Sequence, residues 1–246
     1  MIVDSHAHLK HGDAARTEYT AAQIVDMMDA AGIDKAAVFA MSTTAEEAVA
    51  MAKAAVAEFP DRLIPYAYAL PSYEKPVLNV LEEAIRRDGF RGIKVHVGEC
   101  TLAGYVSDPV FRLAGRVGVP CLVDCKGAVS PVRRLAETFP ETTIIVAHLG
   151  EYLCTRPTVI DSFIDLAEAN ENIVLDVSAV VTLWKIEEAV HRIGSGRVVF
   201  GTDGPQETPD THAFARAELD KIRRLNLTEE HKQDILGGTI ARLLHL

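Results

Sequence analysis

Short apolar runs rich in Val, Ile and Ala recur along this chain, each followed by a longer stretch whose apolar positions repeat every three or four residues. The runs lie at residues 2–4, 36–40, 63–70, 92–97, 121–124, 143–147, 172–177 and 198–201. Their length and β-branched content predict strands. The stretches between them predict helices: within 43–58, Ala48, Met51, Ala52 and Ala55 share one face, and 73–87 and 228–244 read the same way. Asp108-Pro109 and Ser130-Pro131 each set a capping side chain before a proline suited to the first helical position. Eight runs over 246 residues make one strand-plus-helix unit per about 31 residues, the size of a βα repeat. The pattern predicts an α/β chain of (β/α)8 type, a TIM barrel, as one domain over residues 1–246.

Loop lengths distinguish the two ends of such a barrel. Helix-to-strand connections are short, as in Ala31-Gly32-Ile33-Asp34, Gly118-Val119-Pro120 and Gly194-Ser195-Gly196. Strand-to-helix connections are longer, at 9–19, 98–107, 149–156 and 204–211, so the chemistry is expected at the carboxyl ends of the strands.

Those ends carry ionisable side chains. The first strand reads Val3-Asp4-Ser5-His6-Ala7-His8, and period-two alternation puts Asp4, His6 and His8 on the lumen face. Two neighbouring imidazoles could chelate a divalent cation, although an H-x-H pair alone is a weak signal. Lys94-Val95-His96, Asp124-Cys125-Lys126, Ala147-His148 and Thr202-Asp203 close four further strands. Histidines and carboxylates collected at one end of a barrel make a poor core, because each is costly to desolvate unless paired or bound to a metal. On the fifth strand, alternation points Leu122, Asp124 and Lys126 inward and Cys121, Val123 and Cys125 toward the helices. Lys94 is expected to partner a carboxylate such as Asp4. His96, Lys126 and Arg156 are substrate-binding candidates, the two cations for a substrate carboxylate. His11, His191, His212, His231 and His245 lack a supporting constellation and are expected to face solvent; Trp184 is expected to pack.

Charge and composition narrow the field. A formal charge of −10 argues against non-specific nucleic-acid or anionic-membrane binding. No apolar stretch is long enough to span a bilayer, and the first residues do not read as a signal peptide. Four cysteines without a C-x-x-C pair read as reduced thiols, so a cytoplasmic location is expected.

At this point the sequence resembles the amidohydrolase superfamily of metal-dependent barrels, and within it the branch of aminocarboxymuconate semialdehyde decarboxylase and related lactone and amide hydrolases. The matching segments are Val-Asp-Ser-His-Ala-His at 3–8, Gly-Ile-Lys-Val-His at 92–96, Ile-Ile-Val-Ala-His-Leu-Gly at 144–150 and Arg-Val-Val-Phe-Gly-Thr-Asp-Gly-Pro at 197–205. The closing helix around 235–244 matches as well. The resemblance implies a divalent metal, zinc first, held by His6, His8 and Asp203, with His148 at the metal or its water. The family pattern places a histidine ligand at the end of strand five, where this chain has Asp124. Asp124 is expected to reach the metal directly or through water, and a carboxylate there hardens the site toward manganese or iron.

The expected activity is hydrolysis of an ester, lactone or amide in a small anionic substrate, with Asp203 as general base and His148 stabilising the oxyanion or sharing the proton work. The same constellation would serve a non-oxidative decarboxylase of a small unsaturated or aromatic acid. A third reading is a non-catalytic metal-binding barrel, prompted by Asp124. A small-molecule substrate, and no nucleic acid or membrane, completes the expected partners; a homo-oligomer is left open.

Overall fold

A computed structural model describes residues 1–72, 75 and 77–246 of the chain. Eight parallel strands pair in sequence order: β1 (Val3–Lys10), β2 (Lys35–Ala40), β3 (Leu63–Tyr68), β4 (Gly92–His96), β5 (Cys121–Asp124), β6 (Ile144–Val146), β7 (Ile173–Asp176) and β8 (Val198–Val199). The barrel closes where Ser5 N donates to Phe200 O at 3.0 Å and Asp203 N donates to His6 O at 2.8 Å. This is a (β/α)8 barrel, the fold expected from the alternation.

The first eight helices cover the barrel: α1 (Ala21–Ala31), α2 (Ala45–Glu58), α3 (Leu78–Asp88), α4 (Gly104–Val117), α5 (Val129–Thr138), α6 (Pro157–Ala169), α7 (Leu183–Ile193) and α8 (Thr211–Arg223). Their starts follow local capping where a polar side chain is available, as in the reciprocal Thr20–Gln23 capping box of α1. Two apolar layers result. Lumen residues such as Phe39, Tyr66, Leu122, Ile145 and Val199 form one, and the helix-facing residues, including Cys121, Val123 and Cys125, form the other. The period-two reading of β5 is therefore the register observed. The four cysteines are free thiols, and no described helix is long and apolar enough to cross a membrane.

Some boundaries differ from expectation. Positions 73, 74 and 76 of the expected third helix lie outside the described residues. α4 begins at Gly104, so Pro109 lies inside it and Asp108 accepts from Arg134 at 2.7 Å instead of capping. α5 begins at Val129, which leaves Pro131 in the first turn, where no backbone N–H is needed. The expected last helix divides into α9 (Glu229–Gln233), a wide turn at Asp234–Gly238 and α10 (Thr239–Leu244). In that turn the Ile235 carbonyl accepts from Phe200 N at 2.9 Å, which also ends the β8 ladder two residues early. Trp184 is 62% exposed and does not pack as expected.

Candidate active site

Strand β1 places His6 and His8 at the mouth of the lumen, both buried. The His6 Nδ1 lies 2.8 Å from Asp176 Oδ2, so a proton on that nitrogen is donated to β7. Burial pushes the Asp176 carboxyl up, but the hydrogen bond and charge of His6 outweigh it and hold Asp176 below the usual carboxylate range. With Nδ1 so engaged, the His6 Nε2 lone pair faces the cavity. Asp203 Oδ1 lies 3.1 Å from that nitrogen and 2.9 Å from His8 Nε2. Burial raises the Asp203 carboxyl, yet the neighbouring His6, His148 and His8 imidazoles carry it well below its ordinary value. Burial keeps His8 well below the usual imidazole range, and its Nδ1 has no partner among the described residues.

This geometry tests whether a metal belongs here. A nitrogen lone pair 3.1 Å from an ionised carboxylate oxygen is unfavourable without a cation nearby, and here the Lys94 ammonium, 2.9 Å from His6 Nε2, already stands at that position. Two imidazoles and one carboxylate, with their ligand atoms all within 4.8 Å of one another, are the donor set of a divalent ion. The residues present fit that group. A second cluster, His6 with His148 and Asp176, is already joined by the His6–Asp176 hydrogen bond and orients the ligands.

Lys94 departs from expectation. Its ammonium lies 2.9 Å from His6 Nε2 and above the Phe39 ring, not on Asp4. Asp4 is instead satisfied inside the wall by Thr202 Oγ1 at 2.6 Å and by the N–H groups of Thr202 and His6. Burial pushes the Lys94 ammonium down against the opposing charges of Asp124, Asp203 and Asp176.

The far side of the floor is built from β4 to β6. Asp124 points into the lumen, where Oδ2 lies 3.1 Å from His96 Nε2 and 3.8 Å from His148 Nε2. It belongs to neither ligand cluster found among the described residues. Burial raises its carboxyl, but the neighbouring His148 and His96 imidazoles and the charge of Lys94 hold it far below the carboxylate range. His96 Nδ1 accepts from Gly98 N at 3.1 Å, which puts the ring proton on Nε2, 3.1 Å from Asp124 Oδ2. A Cβ on Gly98 would stand 2.6 Å from the His96 ring and 2.7 Å from Lys126 Nζ, so only glycine fits.

His148 follows β6 in a left-handed conformation, φ 59°, and Gly150 in the same turn could carry no Cβ without meeting Phe163 at 2.0 Å. Its Nδ1 lies 2.9 Å from the Ser178 carbonyl, an acceptor only, so Nδ1 carries the proton and Nε2 faces the cavity. Burial lowers this imidazole, but Asp203, Asp124 and Asp176 outweigh burial and hold it up at about 9.

Above this floor is a cavity of about 770 Å³, of the size that takes a small ligand. Arg156 lies at its rim with its guanidinium forked onto Glu151 at 2.8 and 2.6 Å. Lys126 lines the same rim, exposed and without an ion pair among the described residues. Across the mouth, Arg16 and Tyr68 both donate to Glu99. His11 lines the cavity and stacks on His8 at 4.4 Å, contrary to the expected solvent exposure, and His231 is half-buried. Asp176, Ser178, Glu151 and Tyr152 were not singled out from sequence. Asp176 and Ser178 sit two apart at a strand end, the spacing that drew attention to His6 and His8. Glu151 and Tyr152 lie in an irregular loop that carries no period.

The family profile described as Amidohydrolase matches residues 3–246. No curated protein matches the chain by sequence. Among solved structures, 5-carboxyvanillate decarboxylase from Sphingomonas paucimobilis is similar at 13% identity and a TM-score of 0.77, covering 100% of this chain and 99% of that one. Dihydroxybenzoic acid decarboxylase from Polaromonas sp. JS666, with bound manganese and 2-nitroresorcinol, shares 18% identity at a TM-score of 0.75, covering 100% and 97%. An amidohydrolase from Burkholderia multivorans with bound zinc shares 14% identity at a TM-score of 0.79, covering 100% and 99%. At these identities the structures speak for the fold, and the profile match over nearly every residue speaks for descent. With a metal-binding donor set at the carboxyl ends of its strands, this chain belongs to the amidohydrolase family and is an enzyme of that family.

Proposed function

We propose that this enzyme removes a carboxylate, without oxidation, from a small hydroxylated aromatic or unsaturated acid, with a divalent metal held by His6, His8 and Asp203. The observation that carries this reading is one cavity that combines the ligand triad with His148, an imidazole held up at about 9 and 3.8 Å from Asp124. Protonation of carbon needs a donor distinct from the groups that bind the carboxylate, and His148 is placed for that. Support also comes from the fold neighbours of stated activity, several of which decarboxylate hydroxylated or methoxylated benzoic acids. Two of those structures hold manganese, so manganese is the ion proposed first and zinc the alternative.

A divalent ion in such a site supplies Lewis acidity and positive charge toward substrate oxygens. The remaining work falls to the chain. Lys126, a rim cation without an ion pair among the described residues, draws in and orients an anionic substrate. His148, its Nδ1–H fixed on Ser178, delivers a proton from Nε2 to the ring carbon that bears the carboxylate. The carbon–carbon bond then breaks, its electron pair returns to the ring, and carbon dioxide leaves. Asp124 sits against His148 Nε2 and stabilises the imidazole when it regains a proton. Asp176 orients His6, and His96 holds Asp124 in place.

The test is carbon dioxide release from 2,6-dihydroxybenzoate, 5-carboxyvanillate and related acids by manganese-loaded protein. Turnover of at least one acid is expected, falling by two or more orders of magnitude in Asp203→Asn. Hydrolysis of esters or lactones with no release of carbon dioxide would replace this reading with the hydrolytic one.

A further inference from the structure

Ser178 touches both central imidazoles, although it lies beyond the regular part of β7. Its carbonyl oxygen is 2.9 Å from His148 Nδ1, and its hydroxyl oxygen is 3.0 Å from the same atom. The hydroxyl also donates to Asp176 Oδ2 at 2.6 Å and lies 3.2 Å from His6 Nδ1. The next residue, Ala179, is left-handed at φ 54°, a conformation that costs a residue with a Cβ about 1 kcal/mol or more. Such a turn persists only where its surroundings over-determine it.

Those surroundings come from outside the barrel. Glu218 and Lys221, on α8, are side chains only 13% and 10% exposed that pair with each other at 2.5 Å. The Ala179 N–H donates to Glu218 Oε2 at 3.0 Å, and Lys221 Nζ donates to the Val177 carbonyl at 2.7 Å. Both backbone groups bracketing Ser178 are thus held by one ion pair. Burial pushes the Glu218 carboxyl up and Lys221 opposes it. A buried pair of this kind is seldom a net source of stability, since apolar residues of similar volume would do as well. What apolar residues could not do is accept from Ala179 and donate to Val177 together.

We propose that Glu218 and Lys221 are positioning residues for the active site: their ion pair clamps Val177 and Ala179 so that Ser178 holds the His148 Nδ1–H and presents Nε2 to the cavity. Loss of the clamp lets the strand-end turn relax and leaves His148 free to exchange between its two neutral tautomers. The inference rests on the role given to His148 in the proposed reaction, while its structural content stands apart from that reaction.

The experiment compares wild-type protein with Glu218→Gln and with the double variant Glu218→Leu/Lys221→Met, each zinc-loaded for nuclear magnetic resonance of the histidine rings. Wild-type protein is expected to show one His148 tautomer with a protected Nδ1 proton. Glu218→Gln retains a carbonyl acceptor for the Ala179 N–H and should keep it. The double variant leaves no orphaned charge; it should bind metal with wild-type stoichiometry yet exchange that proton at least tenfold faster. Its kcat, on whichever acid the wild type decarboxylates, should fall about tenfold with KM within twofold. A protected Nδ1 proton at the wild-type exchange rate in the double variant would overturn the clamp. Should the double variant fail to fold, the wild-type Ala179 amide decides: exchange at least a hundredfold slower than a free amide supports the clamp, and free exchange refutes it. Wild-type protein inert toward every acid would sink the decarboxylase reading and leave these ring and amide readouts intact.

Discussion

On the β8–β1 side of the cavity floor, two imidazole nitrogens converge on one carboxylate oxygen of Asp203 at 2.9 and 3.1 Å. On the β4–β5 side, His96 Nε2 and Asp124 Oδ2 also meet at 3.1 Å, but there the nitrogen that meets the carboxylate is the one that carries the ring proton. The two sides use the same residue types and differ in where the other ring nitrogen is tied. His6 has its Nδ1 on Asp176, which turns a lone pair inward; His96 has its Nδ1 on Gly98 N, which turns a proton inward. One side gathers its donors about a cation, the Lys94 ammonium in this structure, and the other sets an imidazole directly against a carboxylate. The groups bonded behind each imidazole, more than the imidazole itself, decide whether a histidine binds a metal or holds a carboxylate.

The largest effect should come from breaking the β8–β1 side. His6→Ala with His8→Ala is expected to take bound metal from about one ion per chain to none and to remove turnover by four or more orders of magnitude, with far-ultraviolet circular dichroism unchanged. Retention of stoichiometric metal, read by elemental analysis, would show that the two sides had been assigned the wrong way round.

A smaller effect is expected on the β4–β5 side. Asp124→Asn should leave metal stoichiometry intact while lowering kcat ten- to a hundredfold, within the range of a lost proton-transfer partner. In metal-free protein His148 is held up at about 9 against an ordinary 6.5, despite burial, by Asp203, Asp124 and Asp176. A raised pKa in the folded state means this proton stabilises the fold fully below about 6.5, a contribution that is lost as pH rises through about 9. Asp124→Asn should bring the His148 titration down by about a unit or more and shallow the loss of thermal stability across that window. Identical titration curves for variant and wild type would separate Asp124 from His148.

The smallest effect concerns the rim. Lys126→Ala should raise KM for an anionic substrate about tenfold, equivalent to about 1.4 kcal/mol, with kcat within twofold. Lys126→Arg should recover most of that loss. An unchanged KM would shift anion recognition to Arg156, released from Glu151 on binding.

Local pattern carried the fold. Alternation and apolar run length respond to backbone geometry one residue at a time, so eight strands, their order and the facing of Asp124 against Cys125 could all be read along the chain. The same alternation placed His6 and His8 in the lumen, and a strand-end position marked His96, His148 and Asp203. Helix starts at Gly104 and Val129 could not be read, because neither α4 nor α5 has a side-chain cap at its start.

What the sequence by itself determined is which residues reach the mouth of the barrel; only the tertiary structure decided which of them touch. His6 meets Asp176 across 170 positions, and Lys94 meets His6 rather than Asp4. Such pairings depend on barrel closure and on turns such as that at Asp203, φ 59°, where a left-handed residue re-aims its side chain. His11, an apparent surface histidine, lines the cavity because its loop folds back over β1 and stacks its ring on His8. Periodicity describes one strand at a time, whereas a ligand set is a property of neighbouring strand ends brought together by the closed barrel.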